Sequence, residues 1–552
     1  MPTLQFKGKS IIWNHHMAVP FHTIEEVPEL HINPEISNGN MILEGDNLLG
    51  LKALLPQFTG KIDCIYIDPP YNTGNENGEN KGWIYNDNVN SPMIRDWFKK
   101  EVNRDDLTRH DKWLCMMIPR LKLLKELLSD EGAIFISLDD NELHHFRRIM
   151  DEIFTEDNFR NIVVIRRGIK SVQAQFETVD KLNFGFEYLV IYTRNEKFRF
   201  KKFEIELENG KDGGWNNHWR GTDRPSMRYE LFGIKPETGQ WRWGEERSLV
   251  AVDNYKEMLD ELGVPEEQLT QEKIDQWYKE KCSEIGEEFD LLRLSTNGKP
   301  EHYIAPTDSK LASNFWSDLK PNGSSQLKAL FKKKVFNNPK SVDLIKRCIK
   351  FIEGDKNDII VLDSFAGSGT TMHSVMELNK EDNGKRNCIM IQMTEETEKD
   401  PEKNVCRDIT RERIRLAISK YNYHAGFKYF RLGIPLDSES MLSGQLPTYI
   451  QFAKYVYYLC TGTNLETEAQ INEETYYVGD YGKQAIYLIY QQDFEKLTRL
   501  ALNLTLAENI KGQQPDKKRI VYAPSCFLDE DYLTDNQFEY VGIPYNLFQR
   551  NK

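Results

Sequence analysis

The pattern that most restricts how this chain can fold is a strand-helix-strand grammar written twice, with more than a hundred residues of different character between the two passages. From Met41, "MILEGD" reads as a strand, "NLLGLKALL" as a helix opening on Asn47, and "IDCIYID" as a second strand. "RLKLLKELLSDEG" then reads as a helix stopped by glycine, "AIFISLD" as a strand, and "DNELHHFRRIMDEIF" as an amphipathic helix. Far downstream, "DIIVLDSFAGSGTTMHSVMELN" gives a buried strand, a glycine turn and a helix, and "NCIMIQMTEE" gives the next strand. Such alternation predicts an α/β fold whose mostly parallel sheet carries helices on both faces.

The interval from about Phe198 to Leu319 is rich in Gly, Trp and charge. Four of the ten tryptophans fall between Trp215 and Trp243, which marks an inserted domain. Its acidic stretch Tyr255 to Gly286 reads as a solvated helical hairpin. Beyond Leu416, "AIYLIY", "FEKLTRLALNLTLAENI" and "KRIVYAPSCF" read as strand, helix and strand of a small separate α/β domain. With 552 residues the chain has room for roughly three or four domains.

A net charge of −14 argues against a protein that coats nucleic acid nonspecifically, since phosphate affinity comes from clustered Lys and Arg. Local basic strips remain, "RRGIK" at Arg166 to Lys170 and "FKKKVFNNPKS" at Phe331 to Ser341; each is also what a solvated face looks like. Eight cysteines stand singly with no CxxC pair, which favours a reducing compartment over a disulfide framework or zinc ribbon. No run of about 18 apolar residues occurs, so the expectation is a cytoplasmic protein outside the membrane. His144 and His145, without matching ligands nearby in sequence, read as surface or packing residues, and no metal is expected.

Two turns carry candidate chemistry. Asp68-Pro69-Pro70-Tyr71 ends the strand "IDCIYID", and two prolines without N–H groups stop the strand abruptly, leaving a carboxylate and an aromatic ring at its tip. A carboxylate plus a proline carbonyl offers acceptors and no donor, which suits an exocyclic NH₂ group, and a Tyr ring suits stacking on a flat base. The same residues also make an ordinary strand-end turn with Asp as a cap. "VLDSFAGSGTT", Val361 to Thr371, has the strand-turn-helix context in which glycines let backbone approach a ligand at a helix N-terminus, and equally that of a plain tight connection. It is no P-loop, because Thr370 stands where the lysine would be. Glu395 or Glu396 ends the following strand, where a ribose diol is met by an acid.

"DPPY" followed far downstream by "FAGSGTT", with "GDNLLGL" just upstream, resembles the S-adenosylmethionine-dependent DNA amino-methyltransferases of the permuted (beta) group. "IDPPYNTGN", "IYND" at Ile84 to Asp87, "GAIFISLDDNEL" and "FEYLVIYTRN" make it more closely similar to the modification (Mod) subunits of type III restriction-modification systems. The resemblance covers about Met41 to Leu416. It implies a Rossmann-like methyltransferase fold with circularly permuted motif order: an N-terminal extension at 1–40, a catalytic half at 41–197, a target-recognition domain at 198–319, a cofactor half at 320–416 and a C-terminal domain at 417–552. Carried over by position, the catalytic motif falls on Asp68, Pro69, Pro70 and Tyr71. The cofactor residues fall on Asp363, Phe365, Gly367, Gly369, Thr370 and Thr371, on Pro339, Lys340 and Ser341, on Glu395 for the ribose and on Asp46 near the adenine. Glu187 would line the flipped-base side.

The implied activity is transfer of a methyl group from S-adenosyl-L-methionine to the N6 of an adenine flipped out of duplex DNA, without a metal. Cytosine-N4 transfer and a noncatalytic DNA-recognition subunit are the alternatives. DNA contacts are expected from Lys332, Lys333 and Lys334, from Arg166 and Arg167, and in the insert from Trp215, Trp219, Arg220 and Trp243. The resemblance further implies a homodimer and a separate helicase-nuclease restriction subunit, since the chain shows no P-loop.

Overall fold

The computed structural model describes residues 2–72, 108–168, 182, 185–222, 224–354, 356–396 and 401–543. "IYND" at Ile84 to Asp87 lies outside the described residues, as do Asn183 and Phe184 next to the Glu187 strand. These form two compact units, 1–201 with 314–552, and 202–313.

The centre of the first unit is made by short strands with apolar side chains on both faces, the mark of a sheet covered by helices. In chain order these are β1 (His22–Glu26), β2 (Met41–Glu44), β3 (Ile62–Ile67), β4 (Leu128–Leu138), β5 (Phe159–Arg166) and β6 (Phe186–Thr193). Unit 202–313 holds β7 (Glu204–Lys211), β8 (Gly214–Asn217), β9 (Trp219–Arg220), β10 (Gln240–Trp241), β11 (Leu292–Leu294), β12 (Pro300–Ile304) and β13 (Thr307–Leu311). The first unit resumes with β14 (Phe315–Trp316), β15 (Ile360–Asp363), β16 (Asn387–Gln392) and β17 (Lys428–Pro435). A second sheet of the same unit contains β18 (Tyr477–Tyr481), β19 (Gln484–Leu488), β20 (Lys518–Ala523) and β21 (Phe538–Gly542).

The ten-stranded sheet has the order β1-β17-β2-β16-β15-β3-β4-β6-β5-β14. Its middle, from β17 through β4, is parallel throughout, while β1 and β6 run antiparallel to their neighbours. The sheet is therefore α/β and mostly parallel. Strands β3 and β15 pair directly, Val361 with Cys64 and Leu362 with Ile65. From β3 the chain proceeds to β4 on one side; from β15 it crosses through the helix Thr370–Asp382 to β16 on the other. The connections thus diverge between these two strands, opening a crevice at their carboxyl ends, the place where open α/β sheets bind ligands.

Several expectations change. The helix Arg109–Leu127 ends five residues before Gly132, and "LSDEG" opens β4 instead. A Cβ at Gly132 would come within 2.8 Å of the Ile62 carbonyl, so this glycine permits close strand approach and does not stop the helix. The first forty residues are no appendage, because β1 closes one sheet edge against β17. Residues 417–435 likewise belong to the central sheet through β17. The region after it shares one apolar cluster with the sheet's helices: Phe452, Tyr455 and Tyr490 join Leu51, Leu54 and Trp113, and Phe21 meets Tyr455 at 4.5 Å between ring centroids. At the insert's borders, Phe315 and Trp316 pair with β5, and Phe200 stacks on Phe351 at 4.3 Å, so both flanks pack with the first unit. Inside the insert the helices Glu245–Leu262 and Gln271–Ile285 bury Tyr255, Met258, Ile274, Trp277 and Tyr278 in a core of their own; only their outer faces are solvated. Among the described residues no helix is long and apolar enough to cross a membrane.

Candidate active site

Strand β3 stops at Ile67 because the two prolines that follow Asp68 have no N–H to continue the ladder. The elbow is then clamped from behind. The fully buried Trp113 donates its indole N–H to the Pro70 carbonyl at 2.6 Å. Asn72, held in the left-handed region at φ 56, donates to the buried Glu142 carboxylate at 2.5 Å. Glu142 is also met by His110 Nδ1 at 2.6 Å and His145 Nδ1 at 3.3 Å. Burial pushes the Glu142 carboxyl up, but the hydrogen bonds from His110, His145 and Asn72 outweigh it and hold it below the ordinary range. The bond to Glu142 in turn raises the His145 pKa. His145 is therefore no plain surface residue, and the ligand atoms of His110, Glu142 and His145 lie within 4.8 Å of one another.

Among the described residues nothing donates to the Pro69 carbonyl, and Asp68 Oδ1 is buried without a hydrogen-bond partner. Burial is the main influence on Asp68 and raises its pKa, against the pull of the Lys340 charge. Lys340 comes from 269 residues downstream. Its ammonium donates to Glu187 Oε2 at 2.8 Å and to the Tyr71 hydroxyl at 2.5 Å, and lies 3.3 Å from Asp68 Oδ1. Tyr71 also donates to Glu187 at 3.3 Å.

On β15 the glycine turn is built around Asp363. This buried carboxyl accepts the Phe365 N–H at 2.9 Å and the Thr371 hydroxyl, and burial pushes its pKa up to about 7. Asp363 and Thr371 thus shape the turn from within. Gly367 and Gly369 stand at φ 51 and 78, where a Cβ would be strained. That Cβ would also come within 3.2 Å of Phe336 Cζ at Gly367, and within 3.0 Å of the Thr410 carbonyl at Gly369. Phe365 is half-buried against the apolar core. Beneath the turn the fully buried Arg413 donates to Ser368 Oγ at 2.9 Å and Thr370 Oγ1 at 2.7 Å.

The neighbouring strand tips add acids. Glu395, after β16, accepts from Gln392 at 3.1 Å and Lys403 at 3.2 Å, while Gln392 accepts the Gly367 N–H at 2.7 Å. Asp46, after β2, caps the helix Asn47–Phe58 by accepting from Leu48 and Leu49. Ser341 caps the helix Val342–Glu353, with Pro339 half-buried just before it.

The elements thus bring Asp68 to Tyr71, Lys340, the glycine turn, Glu395 and Asp46 to the carboxyl ends of the parallel strands of one sheet. Trp113, His110 and Glu142 were missed by sequence reasoning; Glu142 stood in "DDNEL" without an assigned role. Lysines 332–334 are exposed, Arg166 is exposed and Arg167 half-buried. In the insert, Trp215 packs on Tyr255 and Tyr303, each at 5.4 Å, and Trp243 on His218 and His302 at 4.9 and 5.2 Å. These two rings are local packing, whereas Trp219 and Arg220 are exposed.

A family model described as DNA methylase matches residues 62–403, more than half of the chain. The chain belongs to the DNA methylase family. The chain is 30% identical over 472 residues to the type III restriction-modification enzyme StyLTI Mod subunit of Salmonella typhimurium, covering 76% of this chain and 65% of that protein. It is 31% identical over 380 residues to the type II methyltransferase M.KpnI of Klebsiella pneumoniae, covering 66% and 82% respectively. The EcoPI Mod subunit of Escherichia phage P1 is 30% identical over 391 residues, 64% of this chain and 58% of its own length. The chain thus spans about two thirds or less of the two Mod subunits. Among solved structures, the cytosine-N4-specific PvuII DNA methyltransferase aligns over 71% of this chain and 96% of its own at 10% identity, with a TM-score of 0.33.

Proposed function

We propose that the methylase moves a methyl group from S-adenosyl-L-methionine to the exocyclic N6 of an adenine flipped out of duplex DNA, as part of a restriction-modification system. The observation that carries this reading is the pair of open acceptors, Asp68 Oδ1 and the Pro69 carbonyl, on the strand adjoining the glycine turn. Its relatives are named as Mod subunits and a type II methyltransferase, which supports it.

The residues present fit the cofactor on two counts. Ser364 Oγ is buried beside the turn with no partner among the described residues. Gly367 and Gly369 take left-handed backbone at the strand-to-helix turn, a conformation that lets the main chain pass close to a ligand. The glycine turn and the start of the helix Thr370–Asp382 would hold the methionine part, Glu395 the ribose hydroxyls and Asp46 the adenine side. Bound S-adenosylmethionine supplies a methyl group on positively charged sulfur.

Adenine N6 is a poor nucleophile because its lone pair is drawn into the ring. Asp68 and the Pro69 carbonyl accept its two hydrogens, which turns the lone pair toward the glycine turn and offsets the positive charge that grows on nitrogen. Extruding the base costs about a few kcal/mol, and stacking on Tyr71 recovers part of it. The insert at 202–313 serves as the target-recognition domain, with Trp219 and Arg220 as exposed candidates for DNA contact, and the basic strips 332–334 and 166–167 reach the backbone. A homodimer, a separate restriction subunit and a cytoplasmic location complete the reading.

The test is sequencing of DNA from a methylation-free host expressing the chain. The expected mark is N6-methyladenine in one motif; N4-methylcytosine would overturn the adenine assignment. Asp68→Ala is expected to abolish the mark while binding S-adenosylhomocysteine as wild type does, and an undiminished mark would refute the role of Asp68.

A further inference from the structure

Resting on the methyl-transfer reading, we infer that Lys340 belongs to the target-base side of the crevice, where it supplies charge to Asp68 without occupying its lone pair, and that Glu187 is the anchor that makes this possible. The geometry is specific. The Lys340 ammonium spends its hydrogen bonds on Glu187 Oε2 at 2.8 Å and the Tyr71 hydroxyl at 2.5 Å. It lies only 3.3 Å from Asp68 Oδ1, yet among the described residues no donor meets that oxygen in hydrogen-bond geometry. A positive charge thus stands beside the carboxylate without a hydrogen bond of good geometry to its Oδ1.

That arrangement answers a problem built into the site. A carboxyl buried with little water takes up a proton, and a protonated Asp68 presents a donor where the incoming amine needs an acceptor. The groups that face Asp68 are Lys340, Glu187, Tyr71, Tyr66 on β3 and Asp363 on β15. Among the described residues only Lys340 of these is cationic, and its charge is the strongest influence that favours the ionised form, with a smaller one from Tyr71. Burial pulls the Lys340 pKa down, but Asp68 and Glu187 outweigh it and hold the ammonium charged. A lysine hydrogen-bonded to Asp68 itself would compete with the adenine amine for the same lone pair. Glu187, reaching in from β6, prevents this by holding the ammonium to one side. The bond it accepts from Lys340 and the bond it donates to Glu187 fix the Tyr71 hydroxyl and with it the ring on which the base stacks. Two carboxylates against one ammonium leave a surplus of one negative charge, which suits a reaction that develops positive charge on nitrogen.

The experiment compares Lys340→Met, Lys340→Gln and Lys340→Arg in the full chain, on a duplex carrying the motif that sequencing identifies. Single-turnover methylation is followed against pH, and S-adenosylhomocysteine binding is measured in parallel. Removing a positive neighbour raises the Asp68 pKa, so in the Met and Gln variants the acid limb of the profile should move to higher pH. The rate at pH 7 should fall at least about tenfold and recover in part toward pH 9. Homocysteine-ligand binding should stay within about threefold of wild type, and Arg should restore most of the rate at pH 7. An acid limb that stays in place in both neutral variants overturns the inference, as does a loss of ligand binding equal to the loss of rate, which would return Lys340 to the cofactor side. Binding also reports folding, and Lys340→Gln keeps the test alive where Lys340→Met does not fold. A wild type that methylates no amine in DNA would instead refute the underlying function.

Discussion

Replacing Gly369 by Ala asks whether the glycine turn is a rigid seat. Gly369 stands at φ 78 directly before the helix Thr370–Asp382, and an Ala there takes on roughly 1–2 kcal/mol of left-handed strain. Its Cβ would lie 3.0 Å from the Thr410 carbonyl oxygen and 3.3 Å from Thr410 Cγ2. Thr410 is fully buried and its hydroxyl is tied to the Gly367 carbonyl at 2.6 Å, so it cannot step aside cheaply. Overpacking of this kind adds about 1–3 kcal/mol. The total of about 2–5 kcal/mol falls below the ~5–15 kcal/mol that typically holds a domain together, so the protein folds and the turn gives way. If ligand binding needs the undistorted turn, even about 2 kcal/mol weakens it roughly 30-fold, at tenfold per 1.4 kcal/mol. Gly60→Ala is the control: it sits at φ 67 with nothing within 4 Å of a Cβ, so it carries the strain without the collision. Calorimetric titration with S-adenosylhomocysteine should show at least about 30-fold weaker binding for Gly369→Ala and unchanged binding for Gly60→Ala. Urea unfolding should show Gly60→Ala about 1–2 kcal/mol less stable than wild type. Gly369→Ala binding within about threefold of wild type, with no more destabilisation than the control, would refute a rigid seat.

Asp363→Asn mimics the protonated acid, offering an acceptor to the Phe365 N–H and a donor to Thr371. The wild-type carboxyl is raised from 3.8 to about 7 by burial, so its stabilising contribution is complete below about pH 4 and is lost as pH rises through about 7. Relative to the Asn variant, wild-type stability in urea should fall by about 2–3 kcal/mol between pH 5 and 8; parallel curves would show that Asp363 is ionised throughout. Glu142→Gln removes the charge that His110, His145 and Asn72 share. Here the signs combine: the lowered Glu142 contributes above its unfolded value of about 4.3, and the raised His145 contributes until pH climbs past its folded value, above about 6.5. The variant should lose about 1.5–3 kcal/mol near pH 6 and less at pH 9, with His145's exposure to water trimming the effect, and its methylation rate should fall with the loosened elbow. A loss that is the same at both pH values would show that the histidines carry no charge there.

The central sheet was legible because its strands are short, apolar on both faces and bounded by turn residues, so β2, β3, β15 and β16 could be read locally from Met41, Ile62, Ile360 and Asn387 onward. Both turns announced themselves through residues with backbone consequences, the prolines after Asp68 and the glycines at 367 and 369. Edges were harder. β1 and β17 lie next to each other although some four hundred positions separate them, with His22 opposite Pro435, and neither carries a local signal of its partner. The helix before β4 was misjudged because a glycine usually ends a helix; Gly132 instead lets Ile62 approach, a demand set by the sheet rather than by neighbours in sequence.

The side chains that tune the site were the least legible, and for a physical reason. Asp68, Tyr71 and the glycines are fixed by the backbone that carries them, so their positions follow once the strand ends are known. Trp113, Glu142, Glu187 and Lys340 act through long or buried side chains from four different elements, and their partners are set by packing across 43, 70, 116 and 269 positions. Lys340, assigned by position to the cofactor's methionine end, shows the consequence most clearly: its carbonyl accepts from Thr370 at the glycine turn while its ammonium bonds to Glu187 and Tyr71. A motif therefore locates the backbone of such a site, whereas the charge at its acceptor is decided by residues that no motif within the same strand can name. The elbow and the turn would form without Lys340, but the half-buried Asp68 would then have acids and phenols and no cation beside it among the described residues, and a desolvated carboxyl without a cation is driven toward the neutral form. On the proposed reading the fold supplies the place for the amine, and the lysine favours the protonation state in which that place can accept it.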